Sequence, residues 1–167
     1  NASVGGRAAG GGFDFVPEGV GAFLDSPRAD EGELTVFLCE AGCQPLGGAS
    51  VSGARTVVVG VVATTAELRG GGVFPVADGA WGRAERRLAG STVADQAVGG
   101  EVVLESSRLE EGGSVVGTFQ LETASGGSLS GFFEAPLLSL SGPVVGLEGL
   151  LARARPDPSP GIGGSGP

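Results

Sequence analysis

Apolar residues recur at every second position along most of the chain, the spacing of half-buried β-strands. Phe13 and Phe15 flank Asp14, and Leu34, Val36 and Leu38 alternate with Thr35, Phe37 and Cys39. From Arg55 to Ala63 the run is almost unbroken valine, apolar on both faces, which predicts a central strand. Val102 and Leu104 begin another. In Val115–Glu122 the residues Val115, Gly117, Phe119 and Leu121 share one face, while Thr118, Gln120 and Glu122 take the other. Ala124-Ser125-Gly126-Gly127 then turns the chain, and Leu129, Gly131, Phe133 and Ala135 repeat the inward series, so the two segments predict a hairpin with a short Gly loop.

Turn clusters at Gly47-Gly48, Gly70-Gly71-Gly72, Ala77-Asp78-Gly79 and Glu110-Glu111-Gly112-Gly113 punctuate the strands at sandwich or barrel spacing. The expected fold is all-β: an antiparallel β-sandwich or β-barrel with Gly-rich hairpins. Leu147, Leu150, Leu151 and Ala154 fit a helical stripe and also alternate as a short strand, the preferred reading. The expected organisation is a flexible N-terminal arm over 1–12, a single all-β domain over 13–155, and a Pro/Gly-rich tail over 156–167.

Composition narrows the chemistry more than it identifies it. The 34 glycines among 167 residues would suit disorder, but Val, Leu and eight Phe supply a core. All ten basic residues are Arg, and no His or Lys is present, which removes the usual general base, imidazole ligation, Schiff-base chemistry and the P-loop lysine. The net charge of −9 argues against nucleic acid or an anionic membrane surface as partner. No stretch of 18 apolar residues occurs, so no membrane-spanning helix is expected. Rarity of Ile and Asn, with no Lys, suggests a GC-rich genome, and the small polar opening Asn1-Ala2-Ser3 suits a mature secreted chain after cleavage.

Cys39 and Cys43 stand four apart with Gly42 between them. Two thiols this close can close a tight turn as a structural disulfide, worth about 2 kcal/mol in the chain-entropy model, and an oxidising compartment would follow. The spacing is not that of a thioredoxin-type dithiol, and zinc would lack further His or Cys ligands.

Gly100-Glu101-Val102, Gly117-Thr118-Phe119-Gln120-Leu121 and Leu129-Ser130-Gly131-Phe132-Phe133-Glu134-Ala135-Pro136 together resemble a β-rich domain that recurs in secreted proteins and lipoproteins of myxobacteria and related GC-rich bacteria. The resemblance covers about residues 99–136. In that pattern a Cys often follows the Ala-Pro; here Leu137 and Leu138 stand instead. The resemblance implies a secreted or surface β-domain and brings no catalytic residues.

Catalytic motifs do not assemble. Gly127-Ser128-Leu129-Ser130-Gly131 is one position out of step with a nucleophile elbow and has no His to serve it. Gly161-Ile162-Gly163-Gly164-Ser165-Gly166 has Rossmann-like glycines but no helix to follow. Gly79-Ala80-Trp81 echoes the lipocalin opening but lies mid-chain. Asp25, Asp30, Glu31 and Glu33 cluster without calcium-loop spacing or aromatic neighbours for sugar, so no metal, cofactor or enzyme activity is expected.

What remains is interaction. An extended arm carrying Phe13, Phe15, Val16, Val20 and Phe23 could pair within its own sheet or add to a neighbour's sheet edge. Trp81 with Arg83, Arg86 and Arg87 forms the one cationic cluster, read either as a solvated strand edge or as a contact patch for the acidic surface of another copy. The expectation is a secreted, extracellular or cell-surface structural protein that self-assembles into a filament, pilus-like or other surface assembly by strand-arm exchange. Its partners would be other copies of itself or another surface protein. The competing expectation is a monomeric binding module presenting loops to a ligand, with a pocket lined by Trp81 and Phe residues.

Overall fold

The computed structural model describes residues 1–28, 30–41, 54–88 and 90–140. Cys43, the Leu147–Ala154 stripe and the tail over 156–167 lie outside the described residues. Among the described residues ten strands and one helix follow in order: β1 Ala2–Ala8, β2 Gly11–Gly12, β3 Gly19–Arg28, β4 Glu31–Cys39, β5 Arg55–Thr64, α1 Thr65–Gly70, β6 Gly72–Pro75, β7 Ala80–Leu88, β8 Ser91–Ser107, β9 Ser114–Thr123 and β10 Ser128–Ser139. The fold is all-β, as the alternation predicts.

The pairings run full circle. β3, β4, β5 and β7 are joined antiparallel in sequence order, β7 pairs with the first part of β8, β8 with β9, and β9 with β10. The end of β10 then pairs parallel with β3 at Leu137↔Ala22 and Ser139↔Phe23, which closes a barrel. Of the two architectures the alternation allows, the ring of pairings is the barrel. β6 and β1 flank this ring on β8 and β10.

β8 turns the barrel's corner. Its first residues pair with β7, its later ones with β9 and β6, and the register slips between Ala97 and Gly99. Gly100 sits at φ +98°, where a side chain would also drive into the Gln120 carbonyl. A glycine and a bulge therefore let one 17-residue strand serve both halves.

The interior is filled by Ala22, Leu24, Leu34, Val36, Leu38, Val57, Val59, Val61, Val102, Leu104, Val115, Phe119, Leu121, Leu129, Phe133 and Ala135. Much of the glycine is spatial rather than flexible. Gly117 and Gly131 lie opposite Phe133 and Phe119 in β9–β10, Gly21 opposite Phe37, and Gly60 opposite Trp81. In each pair the ring occupies the space a Cβ would need. Glycine thus lets the strand carry a large aromatic neighbour without swelling the layer.

One mouth is sealed by α1, whose Leu68 is fully buried beside Gly32 and Leu24. A capping box starts this short helix: Thr64 Oγ1 accepts from the Glu67 amide at 3.1 Å, and the Glu67 carboxylate accepts from the Thr64 amide at 3.0 Å. The other mouth is sealed by Phe13 and Phe15, which lie under Arg86 and Arg55.

Candidate functional site: the docked N-terminal hairpin

Residues 1–12, expected as a flexible arm, instead form β1 and β2 of the same sheet. The correction has a plain physical cause: Ala2 and Val4 alternate as core residues, and β10 offers them an open edge. β1 pairs antiparallel with β10 from Ala2↔Phe133 to Arg7↔Ser128. Ala9 and Gly10 reverse the chain, with Gly10 at φ +91° and Gly11 at φ +118°. The return strand is held by Phe13 N–H to Gly6 O at 2.9 Å and by reciprocal bonds between Val4 and Phe15 at 3.0 Å.

Phe13 and Phe15 point into the barrel mouth, both buried, their ring centroids 6.4 Å apart. The socket that receives them is cationic. Arg55 and Arg86 are directly opposite one another on β5 and β7, on the inward face at the mouth. Arg55 Nη1 donates to the Gly12 carbonyl at 3.1 Å, and Arg86 Nη2 donates to the same oxygen. The Arg55 guanidinium lies 5.1 Å from the Phe15 centroid and that of Arg86 5.2 Å from the Phe13 centroid, within cation–π range. Glu40 balances the pair, accepting from Arg55 Nε at 2.8 Å and Nη2 at 2.6 Å. That bidentate bond holds the Glu40 carboxyl below its ordinary range, against the opposing effect of burial, with the Arg86 charge adding to the same direction.

Asp95 fastens the hairpin's tip. This buried carboxylate on β8 accepts from the Ala9 amide at 2.8 Å, the Ser125 amide at 3.0 Å and the Ser125 hydroxyl. Burial alone would raise its pKa, but the hydrogen bonds from Ser125, Thr123 and Ala9 together win and lower it. The carboxylate so donated to fastens the Ser125 turn and the Ala9 amide to β8.

The residues of the expected arm do not act as one unit. Phe13 and Phe15 enter the mouth, Val20 packs partly against the core, and Val16 is 74% exposed. Phe23 belongs to the outer face of β3, where it packs on Phe37 with centroids 6.1 Å apart. The expected cationic cluster is divided by the two faces of β7. Trp81, Arg83 and Arg87 are on the outer face and Arg86 on the inner one, because alternate residues of a strand point oppositely. Trp81 is buried, lies over Gly60 and donates its Nε1–H to Glu33 Oε2 at 3.2 Å. Arg83 pairs with Glu85 at 2.9 Å, and Arg87 is exposed.

Cys39 ends β4, buried, and its carbonyl accepts from the Glu18 amide at 3.0 Å. Asp25 and Glu33 are cross-strand neighbours, and Glu31 lies opposite Thr64. Among the described residues no three Asp, Glu or Cys come together as a metal site. Ser128 and Ser130 are exposed strand residues.

Arg55, Glu40, Asp95 and Ser125 escape sequence reasoning. Arg55 carries a faint signal, a lone charge opening a valine strand. Asp95 carries none, since its partners are supplied by the arm and by a distant turn. No family model, curated protein or solved structure matches the chain.

Proposed function

We propose that the chain is a non-enzymatic structural protein of a secreted or cell-surface assembly, whose copies are joined by exchanging the N-terminal hairpin. One observation carries this reading. Residues 1–15 supply a strand and two phenylalanines, and the described groups that receive them belong to the barrel: the β10 edge, Arg55, Arg86 and Asp95. Such an element can leave its own socket for that of a neighbour with the same contacts remade, which makes exchange a low-cost route to association. The resemblance of about residues 99–136 to domains of secreted proteins and lipoproteins is what suggests the location, and no cofactor figures in the reading.

Light scattering after size exclusion, over a hundredfold range of concentration, tests it. The expected result is a mass that rises from 16.3 kDa to multiples of it, with Phe13→Ala and Phe15→Ala together abolishing the rise. A monomer at every concentration would sink it.

A depression of about 350 Å³ on the outer face of β1, β8, β9 and β10, lined in part by Ser3, Glu101, Val103, Thr118 and Phe132, favours a second reading as a monomeric binding module. Binding there would leave the mass unchanged and would respond to Phe132 rather than to Phe13.

A further inference from the structure

The hairpin is tied to the barrel by a very short tether. Phe15 sits in the mouth under the Arg55 guanidinium, 5.1 Å from its ring centroid, and Glu18 is fixed to the Cys39 carbonyl, leaving Val16 and Pro17 between them. Three residue steps span at most about 11 Å of extended chain. Pro17 also removes an amide and fixes one dihedral, so the tether is stiff as well as short.

This length restricts how an exchanged assembly can be built. For one copy's Phe15 to sit in another copy's socket, its own Glu18 must lie within that 11 Å of the other's mouth. The mouth it has vacated is beside its own Glu18, since donor tether and acceptor socket belong to the same end of the barrel. The second copy's displaced hairpin is anchored at that same junction. We infer that hairpin exchange is reciprocal and closes at two copies, mouth to mouth, with each hairpin in the other's Arg55–Arg86 socket. This inference rests on the exchange reading above and names its partner and symmetry. The occupant is a second copy because the socket already fits residues 1–15 of this sequence: the Gly12 carbonyl takes the Nη2–H of Arg86, the β10 edge takes β1, and Asp95 takes the Ala9 amide. Among the described residues Arg86 Nε is buried without a hydrogen-bond partner, and the Nη2 bond of this guanidinium goes to the docked hairpin. A longer assembly would need a second surface besides the hairpin.

A thiol cross-link across the β1–β10 seam tests this. Ser3 and Ser130 are both exposed, and each lies opposite the other's near neighbour, Ser3↔Phe132 and Gly5↔Ser130. The full-length double variant Ser3→Cys/Ser130→Cys is concentrated, passed briefly through mild denaturant and treated with a short bis-maleimide, with the native chain as the control for Cys39 and Cys43. Covalent species that stop at twice the chain mass, matching a light-scattering dimer, are the expected result. A ladder of trimers and higher species would overturn closure while leaving exchange intact. Intramolecular links at all concentrations, with a monomeric mass, would overturn the exchange reading itself. Intramolecular links in a dimer would show association by another surface and overturn the inference.

A chain with eight Gly and Ser residues inserted between Val16 and Pro17 supplies a second measurement without new cysteines. Species above the dimer should appear only with the lengthened tether. If the native and lengthened chains give the same distribution, tether length does not close the ring.

Discussion

β5 and β9 are each ten residues long and belong to one closed sheet, but they live in different surroundings. β9 alternates, with Val115, Gly117, Phe119 and Leu121 buried and Gln120 and Glu122 in solvent. β5 is buried on both faces from Val57 to Val61, and its neighbour β4 is buried from Gly32 to Cys39. The β3–β4–β5–β7 half therefore carries a second apolar layer outside the barrel, made of Phe23, Phe37, Val58 and Trp81 with Glu33 and Thr35 among them. The β9–β10 half has one packed face and one wet face. The lesson is that a barrel strand need not be amphipathic: where both sides are covered, valine at every position is the correct code.

The largest expected effects test that contrast. Val58→Asp places a charge on the buried outer face of β5 and should destabilise the fold by about 4 kcal/mol or more, enough to abolish a cooperative melt. Thr118→Asp, on the outer face of β9, should change stability by no more than about 1 kcal/mol. Equal effects in urea titrations would remove the distinction between the halves.

Next in size is the glycine beneath the indole. Gly60→Ala should cost about 1–3 kcal/mol because the added methyl meets Trp81, and Gly60→Ala/Trp81→Phe should recover part of the loss. In the other half, Gly126→Ala meets no atoms but carries the strain of φ +90°, so its cost of about 1 kcal/mol should be independent of any neighbouring ring. Recovery at the second site, or none at the first, would contradict this separation of ring packing from backbone strain.

The hairpin socket responds to acid. Asp95 and Glu40 have folded pKa values below their ordinary ones, so their contribution to stability is complete above the unfolded values and is lost as pH falls through them toward the folded ones. Asp95→Asn should weaken the fold by about 1–2 kcal/mol at pH 7 and flatten its loss of stability below pH about 4. An unchanged acid limb would remove Asp95 from the account. Smallest of all is the exposed Arg108–Glu110 pair, 2.9 Å apart: Arg108→Ala should shift stability by less than about 0.5 kcal/mol.

The strand-by-strand pattern was legible because period two is local. The β9–β10 hairpin, the two-faced valine strand and the all-β class all follow from neighbours in sequence. The split of Trp81, Arg83, Arg86 and Arg87 follows from the same rule once β7 is known to run unbroken through them, but arginines in a row read as a patch when the strand is uncertain. Phe13 and Phe15 were legible as important and ambiguous as to partner. Arg55 and Asp95 were not legible: their roles come from Gly12 and Ala9, more than forty residues away along the chain. Contacts that the barrel's closure creates leave no periodic trace.

The central claim is that a separable hairpin is docked on a more stable barrel, and native-state hydrogen exchange tests it directly. The amides of Val4, Phe13 and Phe15 should open well below the free energy of global unfolding, while those of Val57 to Val61 should open only with it. If the hairpin and β5 exchange with the same free energy and the same denaturant dependence, the N-terminus is an integral strand of the barrel and the exchange account fails.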